Sequence, residues 1–340
     1  APAGSPIDTQ SIIEQIEGLR DVFDEPAAKQ TLDSVAALVP QLEDSATARK
    51  SFADKLLGLL DPAAALEEDG PTDLHELSGE TLMDRLATPV FLAAPDGSTG
   101  TTGSAASLGS AADSGPVGAG GAAGLGSLIG GVLGAARNLL NYTTFYTMKA
   151  RAGTIGERGV APLVARAHQA RPELRIHLAG HSFGARLVSG VAKNVPVDAT
   201  VTLTLLQAAF SHFGFSEAWE PGKSGYFHAV VHDKKVRGPI LVTNTVNDRS
   251  VGIAYAIASR LAGDAAAAVG DANDIYGGMG RNGAQRTDGT VPGQLLAVGG
   301  KYAWQHQVAH NLVADRFISG HSDVTGKEVA YALLSAIAST

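Results

Sequence analysis

The residue of this chain best placed by its neighbours to do covalent chemistry is the serine of Gly180-His181-Ser182-Phe183-Gly184. These five residues follow the run Leu174 to Ala179 and open the amphipathic run Ala185 to Lys193, a pattern that predicts strand, sharp turn, helix. A serine on such a turn stands clear of the sheet edge. Gly180 and Gly184 are expected to let strand and helix pass close together, since neither has a Cβ. Serine is a poor nucleophile near neutral pH, so it needs a histidine to take its proton and an acid to orient that histidine. The sequence offers His321, His306, His310 and His181 for the first role, and Asp248, Asp233, Asp264, Asp271 and Asp274 for the second.

The Gly180 to Gly184 elbow, with its flanking strand and helix, resembles the nucleophile elbow of the α/β-hydrolase superfamily, and the resemblance covers about residue 89 to the C-terminus. It implies the chain order serine, acid, histidine. Asp248 lies in Val246 to Val251, directly after the apolar run Ile240 to Val246, and a loop at the C-terminal end of a strand is where this fold places its acid. His321 lies in Ile318 to Val324, just ahead of a closing helix predicted over Glu328 to Ala338, the place of the superfamily histidine. Asp233 sits in a tract, His232 to Lys235, that reads as a solvated turn, and the other aspartates have no strand before them. His306 and His310 have the spacing of a zinc pair, but Gln307 stands where a metalloprotease motif has its glutamate, so packing or hydrogen bonding is expected of them. His181 is expected to be structural.

Two backbone N–H groups should face the developing oxyanion. Phe183, after the nucleophile, is one; the resemblance places the other after the strand predicted over Pro89 to Ala94, where Pro95 has no N–H and Ala94 is taken as the donor over Asp96. The tract Gln207 to Phe215, with Trp219, gathers aromatics after a core strand, and Phe210, Phe213 and Phe215 are expected to line an apolar acyl or alcohol pocket, with core packing as the alternative. The implied activity is cleavage of a small, apolar carboxylic ester through an acyl-enzyme. The alternatives are acyl transfer on the same scaffold and a non-catalytic protein-binding scaffold.

The elements that must position these groups are predicted as follows. Residues 9–60 carry apolar positions at helical spacing, broken near Pro26, Pro40 and Pro62, with a further helix over Glu80 to Ala87. Residues 1–88 thus read as a helical region, either a cap or a packing bundle, ahead of an α/β catalytic domain over 89–340. Residues 96–121, almost wholly Gly, Ser, Ala and Thr, read as a mobile loop. Helices are predicted over Leu125 to Lys149, Gly159 to Ala170 and Val251 to Leu261, and strands over Thr200 to Leu206, Pro239 to Val246 and Leu295 to Val298. The alternation predicts a mostly parallel sheet with helices on both faces, lacking the superfamily's early strands.

Composition narrows the partners. The 340 residues are 44% hydrophobic and 18% charged, a soluble globular balance, and contain no cysteine, which excludes thiol catalysis and disulfides. A net charge of −8, with no run of basic residues beyond Lys234-Lys235, argues against nucleic acid and anionic membranes as partners. Ser114 to Ala136 is uncharged, but nine of its residues are glycine, too weakly apolar for an integral membrane span. Gly118, Gly120 and Ala123 match a relaxed dinucleotide fingerprint with no strand before it, so no cofactor and no metal are expected. The opening Ala1 to Pro6 reads either as a mature end after signal-peptide removal or as a truncation, which leaves both the cytoplasm and secretion open.

Overall fold

The computed structural model describes residues 8–60, 77–88, 131–196, 199, 202–263, 272 and 274–340, and the backbone of 91–92 and 268–269. The first helices are α1 (Thr9–Gly18), α2 (Pro26–Leu38), α3 (Ala46–Leu57) and α4 (Gly79–Ala87). Their starts follow from the sequence. Asp8, Ser45 and Ser78 each accept a hydrogen bond from a backbone N–H of the first turn, and Pro26 occupies a first-turn position where no N–H is needed. Strand β1 (Phe91–Leu92) follows. Then α5 (Val132–Thr154) runs through a single π-helical stretch, Ile155–Val160, into α6 (Ala161–Ala170). The break expected between residues 149 and 159 is absent. Gly156 serves helix packing instead: a Cβ on it would lie 2.1 Å from the Leu187 carbonyl oxygen.

The main sheet has five strands: β2 (His177–His181), β3 (Thr202–Leu206), β4 (Ile240–Asn244), β6 (Val291–Gln294) and β7 (Ala309–Val313). They lie in the order β2-β3-β4-β7-β6, and every pairing is parallel. Strand β5 (Ala268–Val269) pairs separately with β1, also in parallel. The remaining helices are α7 (Phe183–Asn194), α8 (His228–His232), α9 (Arg249–Leu261), α10 (Met279–Asn282) and α11 (Lys327–Ala338). The predicted strand at Leu295 to Val298 forms four residues earlier, as edge strand β6, and β7 was not expected at all.

Burial on both sheet faces explains the wholly buried β4. Ile240 and Val242 join a core with Ala185 and Val191 of α7 and Val230 of α8. Leu241 points to the other face, into a core with Leu312 and with Val329, Ala332 and Ala336 of α11. A third core contains Ile12 and Ile16 of α1, Leu32 and Val35 of α2, Phe52 and Leu56 of α3, and Leu82 and Leu86 of α4. That same core takes in Leu139 and Phe145 of α5 and Tyr255 and Ile257 of α9, with Phe183 packed at its margin. Among the described residues the apolar core of the first 88 is therefore continuous with that of α5 and α9: α1, α3 and α4 pack on α5, α4 also on α9, and α2 on α1 and α3.

Candidate active site

Ser182 sits between the end of β2 and the first residue of α7 with φ 57° and ψ −124°, a region costly for a side-chain-bearing residue. Surrounding bonds hold it there. Its N–H donates to the Leu206 carbonyl at the end of β3 (3.0 Å), and its carbonyl accepts from Ala185 (3.0 Å) and Ala209 (3.2 Å). Gly180 is required by space, since a Cβ there would lie 2.2 Å from the Gly184 carbonyl oxygen. Gly184 is not: a Cβ built on it meets nothing within 4 Å, so the close pass of strand and helix rests on Gly180 alone.

The loops that follow β4 and β7 bring an acid and a histidine to this serine. His321 Nε2 lies 2.8 Å from Ser182 Oγ, and His321 Nδ1 lies 2.9 Å from Asp248 Oδ2. Asp248 is fully buried, whereas His321 keeps 7% exposure and Ser182 is half-buried, so access is from the serine side. The other carboxylate oxygen of Asp248 caps α9 by accepting the Val251 N–H at 3.0 Å, which fixes the carboxylate's rotation. With Nδ1–H donating to a fixed carboxylate, the unprotonated Nε2 faces the serine hydroxyl, the arrangement that can remove its proton.

The acid and histidine loops are also tied to each other. Asp315 Oδ1 accepts from Thr245 Oγ1 (2.7 Å) and from the Val246 N–H (3.0 Å). Asn247 Nδ2 donates to the carbonyls of Asp315 (3.1 Å) and Ile318 (2.8 Å). Arg281 donates to the Val246 carbonyl, and burial pulls its pKa below the ordinary value. These supports were not anticipated; the only signal was a polar run, Thr245 and Asn247, directly before Asp248. His181 takes a supporting place as well. Its Nε2 donates to the His321 carbonyl (2.8 Å), its ring lies 4.8 Å from the His321 ring, and burial and the neighbouring His321 lower its pKa.

The described competitors lie elsewhere, and Asp264 and Asp271 lie outside the described residues. Asp233 is exposed, with Oδ1 2.8 Å from His232 Nδ1 on the surface. Asp274 accepts from the Tyr276 N–H. His310 stands on β7 against Trp304, while His306 Nε2 faces the Ser339 carbonyl, so the two rings do not share a helix face. In the expected oxyanion site, Phe183 opens α7, so its N–H has no carbonyl one helical turn earlier to bond. Ala94 and residues 96–121 lie outside the described residues.

The expected aromatic pocket is corrected by the fold. Phe210 and Phe215 pack edge-to-face in the core with Phe227, and Phe213 stacks on Trp219, at 0%, 2% and 1% exposure for Phe210, Phe215 and Phe213. The Met279 N–H bonds the Phe210 carbonyl in the loop after β3, and Phe210 and Phe215 join the core of Ile240 and Val242. A surface cavity of about 820 Å³ lies by Glu217, Arg286, Asp288 and the β6–β7 edge at Pro292 and Asn311, and neither Ser182, Asp248 nor His321 lines it.

No family model matches the chain, and no curated protein or solved structure matches it either. The parallel sheet flanked by helices and the site geometry are therefore what a functional reading can draw on. Among the described residues no helix is long and apolar enough to cross a membrane.

Proposed function

We propose that the protein is a serine hydrolase of the α/β-hydrolase type that cleaves carboxylic esters through an acyl-enzyme. The observation that carries this reading is one imidazole, His321, spanning 2.8 Å to Ser182 Oγ and 2.9 Å to a buried carboxylate, Asp248. In the proposed reaction Ser182 Oγ attacks the ester carbonyl while His321 Nε2 takes its proton. The Asp248 carboxylate stabilises the resulting imidazolium. The tetrahedral oxyanion is held by the Phe183 N–H, with a second donor expected from Ala94. Collapse expels the alcohol, which receives its proton from His321, and water repeats the cycle in reverse to release the acid.

Backbone strain at the serine supports the same reading. A non-glycine residue at φ 57° costs about 1–3 kcal/mol and persists where its surroundings over-determine it, as the bonds to Leu206, Ala185 and Ala209 do here. With Phe210, Phe213 and Phe215 buried, no aromatic pocket favours an apolar substrate, and the proposed substrate class is esters in general. Hydrolysis of short p-nitrophenyl esters tests it. Ser182→Ala should lower kcat by about 10⁴ to 10⁶ in a chain that melts as the native protein does. Undiminished hydrolysis by that folded variant would overturn the proposal.

A further inference from the structure

The chain as a whole is acidic, at −8, yet residues 149–177 hold six basic residues and only two carboxylates, Glu157 and Glu173. In the sequence these cations are dispersed and form no run. Folding buries Lys149 and sets Arg151, Arg158 and Arg166 on one exposed face. Along the last turns of α5, the π-helical stretch and α6, the exposed residues include Arg151, Ile155, Arg158, Leu163 and Arg166, at steps of three to five. The step of five falls across the π-helical stretch, where i to i+5 bonding widens the turn and keeps the stripe on one side. Glu157 is turned away from this face, accepting from the Tyr226 hydroxyl at 2.7 Å and lying 3.9 Å from Lys193 Nζ. The stripe itself thus carries no carboxylate. Ile155 is 52% exposed and Leu163 56%, high values for large aliphatic side chains. Beyond α6, Arg171, Leu174 and Arg175 extend the same chemistry, with Glu173 paired to Arg171.

We propose that this stripe docks the protein onto an anionic lipid surface. Guanidinium groups bind lipid phosphates bidentately, and aliphatic side chains set between them enter the apolar boundary beneath the headgroups. The occupant follows from the combination. A twofold contact between two copies would set arginine against arginine with no carboxylate in the stripe to answer it, and a nucleic acid backbone offers no apolar layer for Ile155 and Leu163. The docking leaves Ser182 free. Gly190, the α7 residue in contact with Glu157, is roughly 12 Å along the helix axis from Ser182. The inference stands independently of the hydrolase reading, because it uses neither the triad nor any turnover.

Flotation of the full chain with vesicles tests it, using phosphatidylcholine alone and phosphatidylcholine with one-third phosphatidylglycerol. Binding is expected only to the anionic vesicles, and should weaken as salt is raised. The double variant Arg158→Gln, Arg166→Gln should lower the partition coefficient about 25-fold, at about fivefold per arginine. Ile155→Ser with Leu163→Ser should lower it about tenfold or more. All four side chains are exposed, so unchanged melting is expected to show that each variant is folded. No retention on anionic vesicles, equal retention on both vesicle types, or an arginine variant that binds as the native chain does would each overturn the proposal. So would binding that needs the arginines but is indifferent to Ile155 and Leu163, which would indicate electrostatic adsorption with no entry into the apolar boundary.

Discussion

Replacing Asp248 by asparagine separates the site's chemistry from its architecture, because the two carboxylate oxygens do different work. Oδ1 accepts the Val251 N–H at 3.0 Å and caps α9, while Oδ2 faces His321 Nδ1 at 2.9 Å. An amide has one acceptor oxygen, and the cap claims it, since a backbone N–H cannot accept a hydrogen bond from an NH₂ group. The NH₂ must then face His321 Nδ1, which has to become the acceptor. The imidazole proton moves to Nε2, and a protonated Nε2 cannot take the proton of Ser182. The expected loss is about 10⁴ in kcat, equivalent to about 5 kcal/mol of transition-state stabilisation. Folding should barely change, because both hydrogen bonds persist with their polarity altered at one. Asp248→Ala should behave differently. It removes the cap and strands the buried Nδ1–H, for a destabilisation of about 2–4 kcal/mol on top of the catalytic loss. The assay is kcat for a p-nitrophenyl ester beside a thermal melt, with the His321 tautomer read from ring nitrogen NMR shifts. A folded Asp248→Asn variant within tenfold of native kcat would refute the reasoning.

Three further outcomes follow from the geometry. Gly180→Ala should disrupt the elbow, because its Cβ would sit 2.2 Å from the Gly184 carbonyl oxygen, whereas Gly184→Ala should fold normally and gain up to about 1 kcal/mol of helix propensity; equal melting temperatures for the two would contradict this. Burial lowers the pKa of His177, His181 and His310 from the ordinary 6.5, so the unfolded chain binds protons first as pH falls. Stability is then complete above about pH 6.5 and declines below it, opposed among the described histidines by the exposed His232, whose pKa Asp233 raises. Melting temperature should fall between about pH 7 and about pH 5, with a shallower fall in a His177→Asn, His310→Asn variant; a flat profile would count against the buried histidines. Phe213→Leu should leave the acyl-chain preference of any esterase activity unaltered while lowering the melting temperature, because Phe213 packs between Trp219 and Arg286; a shifted chain-length preference would return that ring to the substrate pocket.

The parts of the site legible in the sequence were those fixed by local chain geometry. Ser182 could be placed because a strand, a glycine and a helix start lie within a few residues of it, and Asp248 because it follows an apolar strand directly. Long-range features were less visible. Strand β7 reads Ala-His-Asn-Leu-Val, and its polar His310 and Asn311 conceal a strand whose position between β4 and β6 supplies its burial. Strand β6 contains Pro292 and Gly293, which argue against a strand except at an edge, and the edge is where it lies. The aromatics of Gln207 to Phe215 could not be sorted between pocket and core, since composition does not say which way a loop folds back. The ties of Asp315 and Asn247 join positions about 70 residues apart, and no local pattern announces them. The basic stripe was hidden for the same reason, as its arginines become neighbours only through the turns of a helix.

The central claim is that His321 and Asp248 make Ser182 an activated nucleophile. Treatment of the native chain with a fluorophosphonate probe, followed by peptide mapping by mass spectrometry, tests it most directly because it needs no knowledge of the natural substrate. One phosphonyl group should be found, on Ser182, with labelling abolished in Ser182→Ala and slowed by orders of magnitude in His321→Ala, since the pair acts as a unit. An unlabelled folded chain, or a label at another serine that survives Ser182→Ala, would contradict it.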